Sequence, residues 1–502
     1  MSFETITAAE PRDAAELVQL ARAALQFERE EEALLLVRRG AEKHADPELW
    51  LWTGLLDQSL DNFDRALDAF AQGARLAPNN FRIARLHAQC ALAAGRPAVA
   101  LFEHVRSMRP YAAAAFINYT AALVAEGQPA RAVSELQSAL ENDPFWAAGH
   151  QRFAQLMATL GRPEEATSSI EAAIDRFPKE AGLWETLLYV QLRHGAYETF
   201  AEILDRARKE GVVSAEFAIY EAIHAAQFDS ATFPRELFDG APAGAEENLR
   251  NWRIRHLLRV GAIGEALPII DQALAAEPDA EIWSLAATVW RLAGDERSEW
   301  LEGDPGLVSV IDIKDKLPPL DKLGSFLRSL HQAEGEYLDQ SVRGGTQTSG
   351  SLFSRVDPLI QDVRAAVVDV VGEFIARLPA RDPRHPTFRH PRDRRIRFAG
   401  SWSVRLNSGG RHSNHIHPQG WISSALYIGL PPRTEGEHDD AGWLTLGEPD
   451  DKLGLNLPPW RTIEPKPGRL VLFPSWMWHG TRPFQDGERL TVAFDVAPPR
   501  GQ

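Results

Sequence analysis

The sequence predicts a multidomain fold in which an all-α helical solenoid precedes a β domain with flanking helices. Small residues and prolines recur every 32 to 34 positions through much of residues 1–302, a period typical of stacked helical hairpins. After position 396, short runs of β-forming residues are separated by Gly, Pro and Asp instead, as expected for an antiparallel β domain. A chain of 502 residues is also too long for a single hydrophobic core.

Composition is that of an ordinary globular protein, with 44% hydrophobic and 25% charged residues. No apolar run is long enough to span a membrane, and residues 1–10 lack the basic and apolar regions of a signal peptide. Cys90 is the single cysteine, so an intrachain disulfide is excluded. We therefore expect a cytoplasmic protein with no membrane partner.

The net charge of −16 is shared unevenly along the chain. Residues 307–502 contain 25 Lys and Arg against 23 Asp and Glu, which leaves 29 basic and 47 acidic residues before them. An acidic N-terminal part argues against nucleic acid as a partner. It is compatible with a basic partner, or with an acidic surface that is simply solvated.

Two series of residues define the helical repeat. The alanines expected where paired helices touch are Ala33, Ala66, Ala100, Ala132 and Ala166. The prolines expected just after the second helix of each hairpin are Pro78, Pro110, Pro144 and Pro178. In the clearest unit, Trp50, Gly54, Ala66, Phe70 and Pro78 resemble the tetratricopeptide repeat. This resemblance implies a tetratricopeptide solenoid with a concave surface of the kind that binds peptides.

The repeat weakens after Phe200. We predict a loop over Thr232–Gly244, a further hairpin around Trp252 and Ala266, and a last helix over Ala280–Leu292. The histidines of residues 1–302 are scattered without the spacing of metal ligands. No catalytic site is predicted within the repeats.

Residues 303–395 are predicted to pack on the β domain as helices and loops. Helical periodicity marks Leu320–His331 and Asp357–Leu378. A flexible polar loop is predicted over Ser341–Gly350, either at the surface or over the substrate. The arginines between Arg381 and Arg397 either form an anion-binding surface or pair with the acidic repeats.

Residues 396–502 are predicted to form the β domain. Its expected strands are Ile396–Leu406, Trp421–Leu430, Trp443–Leu446, Arg469–Phe473 and Arg489–Val496. Short strands separated by turns favour a double-stranded β-helix, or jelly roll. Four tryptophans are expected either inside this barrel or against a substrate, namely Trp402, Trp421, Trp476 and Trp478.

Three histidines of this domain have the spacing of metal ligands. His415 and His417 are two residues apart beside a β-forming run, so an extended backbone would point both imidazoles to one face. His479 follows the strand that ends at Phe473 and would join them if the strands are neighbours. Arg489 opens the last strand ten residues later.

The same stretch resembles the 2-oxoglutarate- and iron(II)-dependent oxygenases, in particular their bacterial and phage branch with an H-x-H-P motif. The residues that carry the resemblance are His415-Ile-His417-Pro418, Ser423–Tyr427, Pro467-Gly468, Phe473–Trp476, His479 and Arg489–Thr491. The resemblance covers the β domain well and the preceding segment more loosely.

The resemblance implies a metal site and a cosubstrate site. His415, His417 and His479 would hold Fe(II) on one face and leave positions for a keto acid and dioxygen. Arg489 would bind the distal carboxylate of 2-oxoglutarate through two parallel donors.

Further hydrogen bonds to 2-oxoglutarate are implied for Thr491 and Tyr427, and also for Asn407 or Ser423. The implied reaction converts 2-oxoglutarate to succinate and hydroxylates a C–H bond of a second substrate. Because the repeats would recruit it, that substrate is expected to be a peptide or protein.

Position 417 departs from the usual ligand set of this superfamily, which is H-x-D or H-x-E followed by a distal histidine. An imidazole in place of a carboxylate leaves one more positive charge at the iron. Two alternatives remain: His415 and His479 bind the metal with water or an acid of the loop Glu435–Asp440, or no metal is bound. His412 is expected beside the ligands or exposed.

Two other functions are compatible with the sequence. A three-histidine dioxygenase that needs no keto acid would use Arg489 for the carboxylate of its substrate. A non-catalytic tetratricopeptide scaffold would use the β domain only to bind partners.

Overall fold

The computed structural model describes residues 13–110, 112–228, 246–276, 278–338 and 340–499. It divides the chain into two compact units. Of the described residues, the first contains those up to residue 136 and those of 349–365, and the second contains those of 137–348 and 366–499. The sequence-based boundaries at residues 302 and 395 stay a prediction. No helix in the described ranges is long and apolar enough to cross a lipid bilayer.

Helices occupy the chain up to residue 302. They are α1 (Ala14–Phe27), α2 (Glu30–His44), α3 (Pro47–Ser59), α4 (Phe63–Leu76), α5 (Phe81–Ala93), α6 (Val99–Met108), α7 (Ala113–Ala125), α8 (Pro129–Asn142), α9 (Ala147–Thr159), α10 (Ser168–Arg176), α11 (Ala181–His194), α12 (Phe200–Lys209), α13 (Phe217–Phe228), α14 (Glu246–Arg259), α15 (Ile263–Leu274), α16 (Ala280–Ala293) and α17 (Arg297–Glu302). The loop predicted over Thr232–Gly244 lies outside the described residues.

The two residue series explain where the hairpins end and touch. Helices α4, α6, α8 and α10 each end two residues before a proline of the series, because the residue before proline avoids the helical conformation. Four of the five alanines are buried as predicted. Ala100 is exposed, so its prediction is wrong, and Ala98 is buried in its place.

Close packing within a hairpin is clearest between α3 and α4. A Cβ atom added at Gly54 would lie 2.6 Å from the ring of Phe70, so only glycine permits this approach. Helix α3 also begins at a defined point, since Asp46 Oδ1 accepts the backbone N–H of Glu48 at 2.7 Å.

Antiparallel strands and two helices follow residue 302. The helices are α18 (Leu320–Leu330) and α19 (Pro358–Arg377), both as predicted. The strands are β1 (Ser309–Asp312), β2 (Val342–Gln347), β3 (Phe398–His412), β4 (Ile422–Gly429), β5 (Leu444–Leu446), β6 (Arg461–Ile463), β7 (Arg469–Pro474), β8 (His479–Thr481) and β9 (Arg489–Val496).

These strands form two open sheets. The order is β1-β7-β4-β9-β3-β2 in the larger sheet and β6-β5-β8 in the smaller one. Among the described residues the strands therefore form no closed barrel, although all five strands predicted from the sequence are present. The prediction of a flexible loop over Ser341–Gly350 is wrong, because β2 pairs there with β3.

The last repeats and the sheets share one hydrophobic core within the second unit. Trp290 of α16 belongs to the same buried cluster as Leu446 and Phe473. The Trp478 indole N–H lies 3.1 Å from both the Ser284 carbonyl oxygen and the Thr288 hydroxyl of α16. The end of the helical array is thus packed directly on strands that carry the predicted site.

Trp421 and Trp476 are also structural. Their indole N–H groups donate to the carbonyl and the hydroxyl of Thr387, each at 2.9 Å. Within the arginine-rich segment, Arg392 donates to the Leu378 carbonyl at 2.6 Å and Arg381 to the Arg389 carbonyl at 2.9 Å. These two arginines hold the segment itself in place.

Candidate metal and anion site

Backbone pairing brings the three predicted histidines together. His415 and His479 form an antiparallel bridge, in which each backbone N–H donates to the other carbonyl at 2.9 and 3.0 Å. The N–H of His417 donates to the Ser475 carbonyl at 2.9 Å. The ring centroids are 4.1 to 4.9 Å apart, so the imidazoles can share one ion.

Each histidine has its Nδ1 atom bound to an acceptor. The acceptors are the Ser413 carbonyl for His415 at 2.8 Å, the Met477 carbonyl for His479 at 3.0 Å and Asp495 Oδ1 for His417 at 2.6 Å. A carbonyl oxygen only accepts, so His415 and His479 must carry their proton on Nδ1 when neutral. This leaves their Nε2 lone pairs free to bind a metal.

The Nε2 atoms of His415 and His417 lie 3.0 Å apart. When both rings are neutral with the proton on Nδ1, these two atoms are acceptors that face each other. A shared cation relieves that repulsion. Burial also lowers the pKa of His415 and of His479 well below the usual histidine range, which keeps both rings neutral and ready to bind a metal.

Within the described residues, these three histidines form the one group of potential ligands close enough to hold an ion. The acids of the loop Glu435–Asp440 have other contacts. Glu437 accepts the backbone N–H of Gln485 at 2.6 Å, and Asp440 lies beside His438 and 3.5 Å from Arg482. Among the described residues, no acid of this loop belongs to the group of close potential ligands.

A buried guanidinium lies in the same cavity. The side chain of Arg489 donates to the Thr481 hydroxyl at 3.0 Å and is only 2% exposed. Arg489 has no acidic partner in the described part of the chain, and its Nε atom is buried without an acceptor. Burial lowers the pKa of this guanidinium, but an arginine stays charged in proteins.

The Tyr427 hydroxyl is likewise buried without a hydrogen-bond partner, and its ring centroid is 5.1 Å from Arg489 Cζ. Burial raises the pKa of Tyr427, so the phenol keeps its proton. Two unmatched donors beside each other fit the oxygens of a carboxylate.

An inner cavity of about 50 Å³ is lined by the three histidines together with Arg489 and Thr491. The structure thus brings together five of the predicted site residues, and Tyr427 lies beside Arg489. Asn407 is exposed and lines a second, outer cavity instead. Ser423 points to Asp495, to which its hydroxyl donates at 2.6 Å, and not into the inner cavity.

His412 lies next to the ligands. Its ring is stacked on that of His415 with 5.9 Å between centroids, and its Nδ1 atom is 3.1 Å from the Ser341 hydroxyl. Burial lowers the pKa of His412 to about 3. The same Ser341 hydroxyl lies 3.1 Å from His415 Nε2, so Ser341 can donate to either ring.

Asp495 and Ser341 were missed by reasoning from sequence. Asp495 could have been found, because it follows Arg489 and Thr491 on β9 at even spacings and therefore lies on the same face of the strand. For Ser341 there was no such signal, since β2 beside it was not predicted.

The outer cavity has a volume of about 1240 Å³. Its walls include the ends of α9 and α11, the segment 334–338, strand β2 and Asp450–Lys452. Six residues line both cavities, namely Gln340, Ser341, Gln347, Trp402, His415 and His417. The outer cavity therefore opens onto the imidazoles through this shared neck.

Several solved structures are similar to the helical part. MamA from Desulfovibrio magneticus RS-1 is 21% identical, with a TM-score of 0.29 over 33% of this chain and 96% of that chain. YrrB, a TPR protein with an unusual peptide-binding site, is 18% identical, with a TM-score of 0.29 over 37% and 97%. TTC0263, a thermophilic TPR protein from Thermus thermophilus, is 18% identical, with a TM-score of 0.26 over 36% and 99%.

Comparison with known families agrees with the two-part architecture. No curated protein gives a significant match. Residues 53–115 and 152–211 match the tetratricopeptide repeat. Residues 400–495 match the family described as "Putative 2OG-Fe(II) oxygenase". The chain thus has a tetratricopeptide region and a C-terminal region that matches the model of that oxygenase family.

Proposed function

We propose that the chain is an Fe(II)- and 2-oxoglutarate-dependent oxygenase that hydroxylates a residue of a peptide or protein substrate. One observation carries this proposal: a single cavity has three clustered histidines at one end and, at the other, a buried guanidinium with no acidic partner among the described residues. The first end requires a cation and the second requires an anion.

The residues fit both groups. His415, His417 and His479 would hold Fe(II) through Nε2, since each Nδ1 is already bound to an acceptor. Arg489 would hold the distal carboxylate of 2-oxoglutarate, with Thr491 and Tyr427 as further donors. Bound iron and 2-oxoglutarate would supply an oxidant from dioxygen, with release of succinate and carbon dioxide.

The residues of the protein would contribute by binding the cosubstrate and by excluding water from the inner cavity. A buried arginine with no internal acid is costly to fold, and a dianionic cosubstrate would offset that cost on binding. Phe473 and Leu444 line the inner cavity beside the polar groups, which lowers the local dielectric and strengthens the charge pairing. We further propose that the two sheets are the halves of a double-stranded β-helix.

The outer cavity supports a polypeptide substrate. Its volume exceeds the roughly 300–1,000 Å³ of small-molecule sites, and the ends of two repeat helices form part of its wall. Three of the charged side chains that line it form no ion pair with the described residues, namely Arg411, Glu334 and Asp451. Such a mixed surface suits the varied groups of a peptide better than a small anion.

The neck between the cavities is neutral. The side chains of Gln340 and Gln347 have no protein partner among the described residues, and the Trp402 ring is half-buried 5.3 Å from the His417 ring. Carboxamides pair with amides, and an indole covers an apolar or amide plane. We therefore expect the residue that reaches the iron to be uncharged.

Turnover tests the activity. The full chain, incubated with Fe(II), 2-oxoglutarate and dioxygen, is expected to release succinate slowly alone and faster with a cell lysate depleted of small molecules. Arg489→Met should release no succinate above background, either alone or with the lysate. Turnover of a substrate with iron and dioxygen but no keto acid would instead identify the three-histidine dioxygenase, and absence of metal and 2-oxoglutarate binding would identify the scaffold.

A further inference from the structure

We infer that Asp495 is a positioning residue for the metal site, which supplies through His417 the negative charge that a carboxylate ligand would otherwise provide. This inference rests on the proposed metal site. It addresses position 417, where the H-x-D and H-x-E ligand sets have an acid and this chain has an imidazole.

The contact between Asp495 and His417 is the shortest of the three that orient the imidazoles. Asp495 Oδ1 lies 2.6 Å from His417 Nδ1, against 2.8 and 3.0 Å for the two carbonyl acceptors. A hydrogen bond to an ionised acceptor is shorter and roughly twice as strong as one between neutral groups. His417 is therefore held differently from His415 and His479.

Asp495 is buried and has no Lys or Arg partner among the described residues, being 6% exposed. Its other contact is the Ser423 hydroxyl, which donates to Oδ1 at 2.6 Å and lies 2.9 Å from the Ser475 hydroxyl and 3.2 Å from His417 Nδ1. Its charge is thus not cancelled by a cation. A metal held by His417 would provide the missing positive charge.

An imidazole that donates its second N–H to a carboxylate becomes a more basic ligand, and loss of such a partner typically costs about 10- to 100-fold in metal affinity. Strand β9 then carries both charges of the site on one face. Arg489 at its start faces the cosubstrate end, and Asp495 near its end lies behind the metal end.

Metal titration of three variants distinguishes the proposed role of the Asp495 charge from a purely structural role of this residue. Asp495→Asn keeps an oxygen that can accept the His417 N–H but removes the charge. Asp495→Glu keeps the charge on a longer side chain. Ser423→Ala removes the hydroxyl that contacts Asp495, His417 Nδ1 and Ser475 but leaves the carboxylate in place, so it separates the loss of these hydrogen bonds from the loss of charge.

The test is titration of the full chain with Co(II) alone, which reports affinity and ligand geometry through its visible spectrum. We expect Asp495→Asn to bind Co(II) about 10- to 100-fold more weakly than the wild type with shifted bands. Asp495→Glu should bind more tightly than Asp495→Asn, and Ser423→Ala should stay within about threefold, far below that 10-fold threshold.

Wild-type affinity and spectrum in Asp495→Asn would overturn the inference, as would equal affinities of Asp495→Asn and Asp495→Glu. If Asp495→Asn does not fold, a loss of affinity in Ser423→Ala equal to that expected for Asp495→Asn would overturn it as well. The proposed function fails in a different way: wild-type protein that binds Co(II) as expected yet releases no succinate from 2-oxoglutarate contradicts the oxygenase and leaves the role of Asp495 supported.

Discussion

One buried histidine of the repeats and two of the sheets of the second unit differ in the contacts of their ring nitrogens. In the repeats, His150 is 1% exposed and both its ring nitrogens have protein partners, the Ser169 hydroxyl and the Pro144 carbonyl, each at 2.9 Å. In the sheets, His415 and His479 have one nitrogen bound to a carbonyl and the other directed at a cavity.

The same contrast holds for two arginines. Arg255 of α14 lies 3.0 Å from Glu281 and 3.3 Å from Asp450, so its charge is paired. Arg489 of β9 donates to the Thr481 hydroxyl and has no acidic partner among the described residues. Burial with a partner stabilises a fold, whereas burial without one costs stability and persists where a ligand supplies the partner.

The largest effect is expected from removal of a metal ligand. His479→Ala should abolish Fe(II) binding and reduce succinate release to background, because two imidazoles cannot hold the ion on one face. His150→Ala is the control: it should lower stability by about 1–3 kcal/mol and leave the metal stoichiometry unchanged. Metal analysis after gel filtration measures both variants, and an iron content of His479→Ala equal to that of the wild type would contradict the assignment.

Substitution of Arg255 and of Arg489 should affect different quantities, the free energy of unfolding in the first case and the affinity for 2-oxoglutarate in the second. Arg255→Met leaves Glu281 and Asp450 unpaired and should lower the free energy of unfolding by about 3 kcal/mol. Arg489→Met removes an unpaired buried charge, so the free energy of unfolding of the apo protein should stay equal or rise. Its affinity for 2-oxoglutarate should fall about 100-fold or more.

Urea denaturation and anaerobic titration with 2-oxoglutarate measure these two quantities. A stability loss in Arg489→Met as large as in Arg255→Met would mean that Arg489 is a structural residue. The contrast between the two regions would then be lost.

Two tryptophans allow a comparison of the core beneath the sheets, which contains Trp478, with the neck between the cavities, which contains Trp402. Trp478→Ala opens the core between α16 and the sheets and should cost about 3–5 kcal/mol of stability. Trp402→Ala, at the neutral neck, should cost less than about 1 kcal/mol because its ring is half exposed, yet it should reduce the succinate release stimulated by a lysate. Equal losses of stability in urea would argue against a substrate role for Trp402.

A further prediction concerns pH and a buried histidine outside the site. Burial lowers the pKa of His385 to about 4, and its Nδ1 atom accepts the backbone N–H of Thr387 at 3.1 Å. The unfolded chain has the ordinary value of about 6.5. Because the folded pKa is lower, the stabilisation is present above pH 6.5 and is lost as the pH falls toward 4.

The expected loss from His385 is about 1.4 kcal/mol for each pH unit below 6.5. His385→Gln should be less stable at pH 7 but should show a flatter fall in stability between pH 7 and pH 5. Thermal unfolding of both proteins over this range checks the prediction, and identical slopes would contradict it.

Much of this arrangement is readable from the sequence, because repeats and strand patterns are local. The prolines fixed the ends of four helices, and His415, His417, His479 and Arg489 were named from spacing and resemblance. What could not be read depends on contacts between distant segments: β2 with its two glycines, the burial of Ala98 in place of Ala100, and the outer cavity.

Asp495 is an intermediate case. Its place on β9 was predicted with the strand, but its partner His417 lies on a different segment that the alternation of β9 does not identify. The contact between them appears only when β4 pairs with β9 and brings Ser423 opposite Asp495.

The most direct measurement is anaerobic titration of the Fe(II)-loaded wild-type chain with 2-oxoglutarate, followed by visible absorption. Chelation of iron by the keto acid should produce a charge-transfer band that saturates with 2-oxoglutarate, and Arg489→Met should show no band at the same concentrations. Absence of the band in the wild type, or an equal band in Arg489→Met, would contradict a cavity that pairs three histidines with one arginine for this cosubstrate.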